Sequence, residues 1–421
     1  MKQKRLFLLT KKFPYSHQET YLFDELPFLT ETFGTVTLVP YDEFDFNTEE
    51  NRMYLTKKTE LFKLNERVPV LSALEKIKRE ARIQKVFLTE LLFGRERNEH
   101  IKQSRLSLSQ LRHCYTSSLI LRDHIEKHCI GQDDIILYNY WLHRGVLISY
   151  FTKLLSYRKI HIVSRAHAYD LYHRDWLEIL GRQLGFLPFE YFKIKACERI
   201  FSISGHGLLH FGKYFSQFKD KFTIARLGVT DQLDRAAFPA QGPITIVTCS
   251  GIDERKRMYR MPEILSKLNF EFKWVHFGSG SESDVQQVKD EIKKYGLDGK
   301  CDLRGRLPHH EIINFYRYNK ADLFMNISTA EGIPVSLMEA ASFGIPMLAT
   351  KTVGNPEIVT AENGFIIDID FEAEKVSTII NSFFADKAAV EMKRKASRKT
   401  FEDLYNAEKN YKAFAQQLNS L

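Results

Sequence analysis

One stretch limits the fold more than any other, Asn326 to Thr350, NISTAEGIPVSLMEAASFGIPMLAT. It overlaps the end of an apolar run, Ala321 to Ile327 (ADLFMNI), that reads as a buried parallel strand, since such strands are covered on both faces. A polar turn follows, Ser328-Thr329-Ala330-Glu331-Gly332. Pro334 then stands where a first helical residue is expected, because its fixed φ suits that place and its missing N–H is not needed there. The predicted helix runs from about Pro334 to Phe343 and is stopped by Gly344, before a second apolar run from Ile345 to Ala349. Strand, turn, helix, glycine and strand make one βαβ unit, so the fold class is α/β with parallel sheets.

The chemistry of the stretch lies in its turn. Backbone N–H groups near Ile333, Val335 and Ser336 precede the first helical bonds, and together with the helix dipole they suit a phosphate. Gly332 allows the backbone to approach such a ligand closely. Glu331 stands before the helix and Glu339 in its second turn, so both can face one cleft. The plainer alternative is that Glu331 only favours a helix start and Glu339 is solvated.

The whole pattern is more specific than its parts. EGIPVSLMEAASFGIPMLA resembles the E-G-x-P-x-x-x-x-E-A-x-x-x-G-x-P segment of retaining, family-4-type glycosyltransferases with the GT-B fold, of the kind that build bacterial surface polysaccharides. That resemblance implies two Rossmann-like domains facing a cleft. It puts Glu331 beside the donor sugar, the backbone of Gly332, Ile333, Pro334, Val335 and Ser336 at the diphosphate, and Glu339 on the nucleotide ribose.

A chain of 421 residues is too long for one ordinary core, in agreement with two domains. Cys114, Cys129, Cys197, Cys249 and Cys301 are scattered without C-x-x-C spacing, which argues against a disulfide framework or zinc site and fits a reducing cytoplasm. The opening MKQKRLFLLTKKF has too short an apolar run for a signal peptide and reads as a first buried strand. No apolar stretch reaches membrane-spanning length. The formal charge is +8, and Lys57 to Lys127 alone carries about +7. A basic patch of this kind suits nucleic acid, an anionic membrane surface or an acidic substrate, or is simply a solvated face. No nucleic-acid-binding motif accompanies it, so no nucleic acid partner is expected.

Along the chain, Arg5 to Leu9 reads as strand one, and the loop KKFPYSHQET leads to a helix from about Tyr21. In the resemblance this loop faces the interdomain cleft, making Tyr15, Ser16, His17 and Glu19 acceptor-side candidates. Ser16-His17 stands where many relatives carry Gly-Gly, and Glu19-Thr20 also reads as a plain helix start. From Leu71 to His128 the pattern is helical, with apolar residues at mixed three and four spacing. Lys159 to Ser164 is a strand running into Arg165-Ala166-His167-Ala168-Tyr169-Asp170, and a His just past a parallel strand lies where open α/β sheets bind ligands. His167 matches the family His that contacts the donor sugar. Asp170 either orients it or caps the next helix. The aromatic run Leu184 to Lys195 is read as core packing, with a membrane contact as its alternative.

Asp231 to Pro243 is the expected linker, with Ile244 to Cys249 restarting a parallel sheet. Relatives carry an Arg and a Lys after this strand to grip the diphosphate. Lys256 matches the Lys, whereas Gly251, next to Ser250, holds the Arg place, leaving Arg255 as the substitute. Gly278-Ser279-Gly280 resembles the family's F-G-x-G turn, and the strand and loop with Arg304 and Gly305 matches its seat for the nucleotide base.

The resemblance implies an N-terminal acceptor-side domain over 1–238, a C-terminal nucleotide-sugar-binding domain over 239–400, and a last helix over 401–421 that returns to the first domain. It implies transfer of a sugar from a UDP- or GDP-sugar, as co-substrate, to a glycan or lipid-linked glycan acceptor, with no metal and no other cofactor. The expected place is the cytoplasm, with peripheral contact to the inner face of the membrane. The alternatives are a nucleotide-sugar epimerase or other GT-B enzyme, and a non-catalytic protein that binds membranes or anions.

Overall fold

The computed structural model describes residues 4–15, 19, 22–42, 55, 57–64, 70–129, 134–172, 187–232 and 242–421. Ser16 and His17, residues 233–241 of the expected linker, and residues 184–186 lie outside the described residues. Two compact units emerge: one holds the described residues up to Ala225 together with Tyr411–Leu421, the other runs Arg226–Asn410. The division therefore falls ahead of the stretch expected as linker. Just past it, Val229 N donates to Tyr405 O (2.9 Å) and Ala407 N to Val229 O (3.0 Å), which ties the start of the second unit to its end.

The first unit is built on a seven-stranded sheet: β1 (Arg5–Thr10), β2 (Val36–Pro40), β3 (Thr59–Leu61), β4 (Asp134–Asn139), β5 (Lys159–Ala166), β6 (Arg199–Ser202) and β7 (Phe222–Ile224). Their order is β3-β2-β1-β4-β5-β6-β7, and every pairing is parallel. The central strands are apolar on both faces, since Leu6 to Leu9 and Ile135 to Tyr138 are all buried, as parallel strands between helical layers must be. Helix Leu22–Phe33 covers one side with Leu22, Leu26, Leu29 and Phe33. Helices Ala73–Phe93 and Ser104–His128 fill the span between β3 and β4. The former opens in a capping box, with Ser72 Oγ accepting from Glu75 N and Glu75 Oε2 accepting from Ser72 N.

A buried ion pair fastens this unit. Arg165 Nη2 lies 3.2 Å from Glu25 Oε2, with both side chains fully buried. Tyr138 Oη donates to Glu25 (2.9 Å) and accepts from Arg165 Nε (3.0 Å). The guanidinium stacks on Phe414 at 4.2 Å, so the last segment of the chain closes over the charge. Burial pushes the Glu25 carboxyl up against the pull of Arg165.

The second unit carries β8 (Ile244–Cys249), β9 (Phe272–Phe277), β10 (Cys301–Leu303), β11 (Leu323–Asn326), β12 (Met347–Thr350) and β13 (Gly364–Ile367), ordered β10-β9-β8-β11-β12-β13 and again all parallel. The βαβ unit read from the sequence is β11, helix Val335–Ser342 and β12. Pro334 is the residue before the helix, not its first: its ψ of 119° is extended and the helix begins at Val335. Gly344 adopts a left-handed φ of 63°, while its N–H and that of Ile345 bond back to Ala341 and Ala340 and end the helix.

Removing one partner of a buried pair strands the other charge in the core. Arg165→Met is expected to destabilise the protein by about 3–5 kcal/mol. Lys153→Met, at the exposed Lys153–Glu198 pair, should cost no more than about 1 kcal/mol. Urea unfolding of both variants checks this, and equal small losses would contradict the role given to Arg165.

Candidate functional site

At the carboxyl end of β11 the chain turns, and the turn closes on Glu331. Its carboxylate accepts from Ser328 Oγ (2.7 Å) and Asn326 Nδ2 (3.2 Å) and pairs with Lys256 Nζ. Lys256 comes from the loop after β8, which is itself set by Asp253 accepting from Lys256 N (2.8 Å). The two loops are joined along their backbones, since Thr329 N donates to Arg255 O (2.9 Å) and Arg255 Nη1 reaches Ala330 O (3.4 Å). Burial alone would raise the Glu331 pKa, but Lys256 and the Ser328 hydroxyl together hold it below 4.5, so the group is an ionised, buried carboxylate. Arg257, which sequence reasoning passed over, braces the same turn: its Nε donates to Ile327 O and its Nη1 to Ile369 O, both at 2.8 Å.

Helix Val335–Ser342 starts directly beyond this cluster. Leu337 N donates to Pro334 O (3.1 Å), so the N–H groups of Val335 and Ser336 stand ahead of the helical ladder, as expected. Ile333 and Pro334 are buried, while Val335 and Ser336 are half-buried. Two glycines let neighbouring loops come this close. A Cβ on Gly354 would sit 1.7 Å from Gly332 O, and one on Gly278, whose φ is +132°, would sit 1.7 Å from Ser250 O. Gly278 N donates to Gly305 O (2.8 Å), and Arg304 N to His276 O (2.9 Å), so the loops with Ser250, Gly278 and Gly305 form one edge. The Arg304 side chain turns to Asp302 Oδ2 (3.0 Å). A Cβ on Gly251 would meet only Ser279 O at 3.7 Å, so the backbone does not demand glycine there.

Glu339 is buried, which corrects the reading of a solvated side chain. Its Oε1 lies 2.7 Å from His309 Nε2, and His309 opens helix His309–Tyr318 with its side chain 62% exposed. The sequence carries no signal for this pair, because a His after Pro308 at a helix start looks like any polar first turn. The Cys249 thiol at the end of β8 is pushed up to about 12 by burial, with Glu339 adding to the effect and Lys256 opposing it. Glu339 and Lys256 thus converge on the carboxyl end of β8.

In the first unit, His167 follows β5 and packs between the rings of Tyr140 (4.6 Å) and Trp141 (4.4 Å). Burial pushes its pKa well below 6.5, Arg165 adds to this, and a hydrogen bond to the Tyr140 backbone opposes it. The imidazole is neutral at physiological pH, and its Nε2 is buried without a hydrogen-bond partner. Asp170 caps: its Oδ2 accepts from His167 N (3.0 Å) at the start of helix Ala168–Tyr172, and burial pushes its carboxyl up to about 6. Both carboxylate oxygens of Glu19 are engaged. Its carboxylate accepts from the N–H groups of Lys11 (2.9 Å), Lys12 (2.8 Å) and Phe13 (2.7 Å) and from Trp141 Nε1 (2.7 Å), so it holds the loop after β1 in shape. Tyr15 is buried in that loop, with the Lys63 ammonium 5.9 Å from its ring.

Residues 231–402 match the family described as glycosyl transferases, group 1. The matched stretch makes up less than half of the chain. It contains the Glu331–Lys256 pair, the helix start and the Glu339–His309 pair. WcaL of Escherichia coli, whose name assigns it to colanic acid biosynthesis as a glycosyltransferase, is 28% identical over 162 residues, spanning 35% of this chain and 39% of that protein. The solved structure of the lipopolysaccharide outer core galactosyltransferase WaaB is similar over 99% of both chains, at a TM-score of 0.67 and 14% identity. HepE of Anabaena, crystallised with UDP-glucose, is similar over 99% of this chain and all of its own, at 0.66 and 13%. At such identities the likeness speaks for the fold, which is GT-B: two parallel sheets of seven and six strands, each with its helices.

The Glu331 carboxyl titrates lower in the folded protein than in the unfolded chain. Its contribution to stability is therefore present above pH 4.5 and is lost as pH falls through the depressed folded value. Wild type should lose more stability between about pH 6 and about pH 3 than Glu331→Gln does, in urea titrations at each pH. Parallel losses in the two proteins would show that the carboxylate is not held ionised.

Proposed function

We propose that this protein is a retaining glycosyltransferase of surface polysaccharide synthesis. It moves a sugar from a UDP- or GDP-sugar to a glycan or lipid-linked glycan, at the cytoplasmic side and in peripheral contact with an anionic membrane. The observation that carries this reading is the buried, ionised Glu331, paired with Lys256 at the opening of helix Val335–Ser342 inside the stretch that matches the group 1 family. HepE, with its bound UDP-glucose, and WcaL, with its naming in colanic acid synthesis, support the donor class and the pathway class.

In this reading the diphosphate lies against the N–H groups of Val335 and Ser336. Lys256 and Arg255 meet the charge that develops on it as the glycosidic bond breaks, so the protein's own cations supply the neutralisation. Arg255 takes the part that an Arg at Gly251 has in relatives. Glu331 faces the donor sugar, and Glu339 accepts the ribose hydroxyls, with His309 yielding or sharing Oε1. His167, neutral and with a free Nε2 lone pair, accepts a hydroxyl of the sugar. The binding energy of these contacts holds the anomeric carbon in place for attack by the acceptor.

Screening UDP- and GDP-sugars for donor-dependent transfer or hydrolysis tests the whole reading. Two substitutions test its parts. Lys256→Ala should weaken nucleoside diphosphate binding by roughly 1.5–3 kcal/mol, the range for a lost charged hydrogen bond. Calorimetry would measure it, and silence in both Lys256→Ala and Arg255→Ala would remove the diphosphate from this turn. Glu339→Gln should raise the donor KM more than it lowers kcat, because a ribose contact is equally present in ground and transition states. A fall in kcat alone would instead give Glu339 a part in the chemistry.

A further inference from the structure

Helix Ala73–Phe93 has two apolar faces, of which one is covered. Ile83, Val86, Phe87 and Glu90 are buried on its inner side. Leu74, Ile77, Leu88 and Leu92 are exposed by 60%, 67%, 52% and 73%. Steps of three, eleven and four residues return to nearly one azimuth on a helix of 3.6 residues per turn, so these four form a stripe on the outer face. The exposure is also local: eight of the thirteen large apolar side chains exposed among the described residues lie between Val70 and Leu106.

The charge along this stripe is one-sided. Lys78 and Lys85 are exposed and border it. All three carboxylates of the helix are engaged elsewhere. Glu75 closes the N-terminal cap with Ser72, Glu80 binds Arg79 and Arg112, and Glu90 is buried, accepting from the N–H groups of Tyr191 and Phe192. The outer face therefore offers apolar side chains flanked by ammonium groups. Two copies of the helix packed stripe to stripe would bring like charges together, which disfavours self-association. An anionic bilayer satisfies both features, since leucine and isoleucine enter the headgroup boundary while lysines reach back to lipid phosphates.

We propose that the outer face of helix Ala73–Phe93 is a docking surface for an anionic lipid bilayer, held by insertion of the leucine stripe as well as by charge. The proposal rests on the membrane-side reading of the proposed function and names the surface responsible. Charge alone is screened by salt, with the Debye length falling from about 10 Å at 0.1 M to about 3 Å at 1 M, whereas insertion is not. The two contributions are therefore separable.

The full chain is floated with vesicles of equal parts phosphatidylcholine and phosphatidylglycerol, or of phosphatidylcholine alone, at low and high salt. Wild type should float with the anionic vesicles at low salt and keep a measurable bound fraction at high salt. The double variant Leu88→Ser, Leu92→Ser should lose at least tenfold of the salt-resistant partitioning, and Lys78→Gln with Lys85→Gln should lose most of the low-salt gain. These positions are exposed, so unchanged unfolding midpoints are expected and are checked alongside. Flotation of the leucine variant like wild type, failure of wild type to float, or a wild-type dimer in light scattering that this variant dissolves would each overturn the proposal. Donor binding and transfer to a water-soluble acceptor are measured on the same variants and should not change. A wild type that docks through the stripe yet transfers no sugar leaves the surface standing and removes only the enzymatic reading.

Discussion

The ion pair between Glu331 and Lys256 is the contact on which the second unit's site depends. Each charge alone would be costly in so enclosed a place, and neither group has water enough to dispense with the other. Pairing them fixes the loop after β8 against the turn after β11, and Asn326 and Ser328 supply the remaining hydrogen bonds to the carboxylate. Once these loops are joined, the start of helix Val335–Ser342 has little freedom. The backbone behind it then comes so close that residue 354 has no room for a side chain. The loop shapes at this edge of the sheet thus follow from one satisfied charge.

Much of this was legible in the sequence, for a local reason. β11, its helix and β12 announce themselves by two apolar runs, a polar turn and a glycine stop, all within one span where period and breaker residues decide the outcome. The strands around Phe7, Ile162 and Val247 were readable in the same way. What escaped were contacts between distant positions. Lys256 and Glu331 are 75 residues apart, and nothing in either neighbourhood says that they meet. Glu19 looks like a helix-start carboxylate, yet the tight loop before it offers three backbone N–H groups that bind it more completely than a helix end would. His309 beside Glu339 is a contact of the same kind. Pro334 was misplaced by one residue because its φ suits the position before the helix as well as the first turn.

The basic segment of the first unit shows a different limit. Summed charge was visible from Lys57 to Lys127, but a sum does not say which groups face outward. The mixed three and four spacing of its apolar residues also blended two faces into one pattern. Packing separates them: Ile83, Val86 and Phe87 go inward, Leu74, Ile77, Leu88 and Leu92 do not, and the carboxylates that would have balanced the lysines are tied to caps and arginines. Helical periodicity reports that a face is apolar, whereas only tertiary structure reports whether it is covered.

The groups assigned above to the nucleotide all lie within Arg226–Asn410 and are held by contacts made inside that unit. Lys256 is fixed by Glu331, Glu331 by Asn326 and Ser328, and Glu339 by His309. His167 belongs to the other unit, where Tyr140, Trp141 and Asp170 define its place. The loops that carry Lys256, Glu331 and Glu339 are therefore one self-supporting set, and the imidazole of His167 is positioned by a separate set. Each set has its own supply of buried hydrogen bonds, so neither needs the other to keep its shape. The order within each is settled by its own packing.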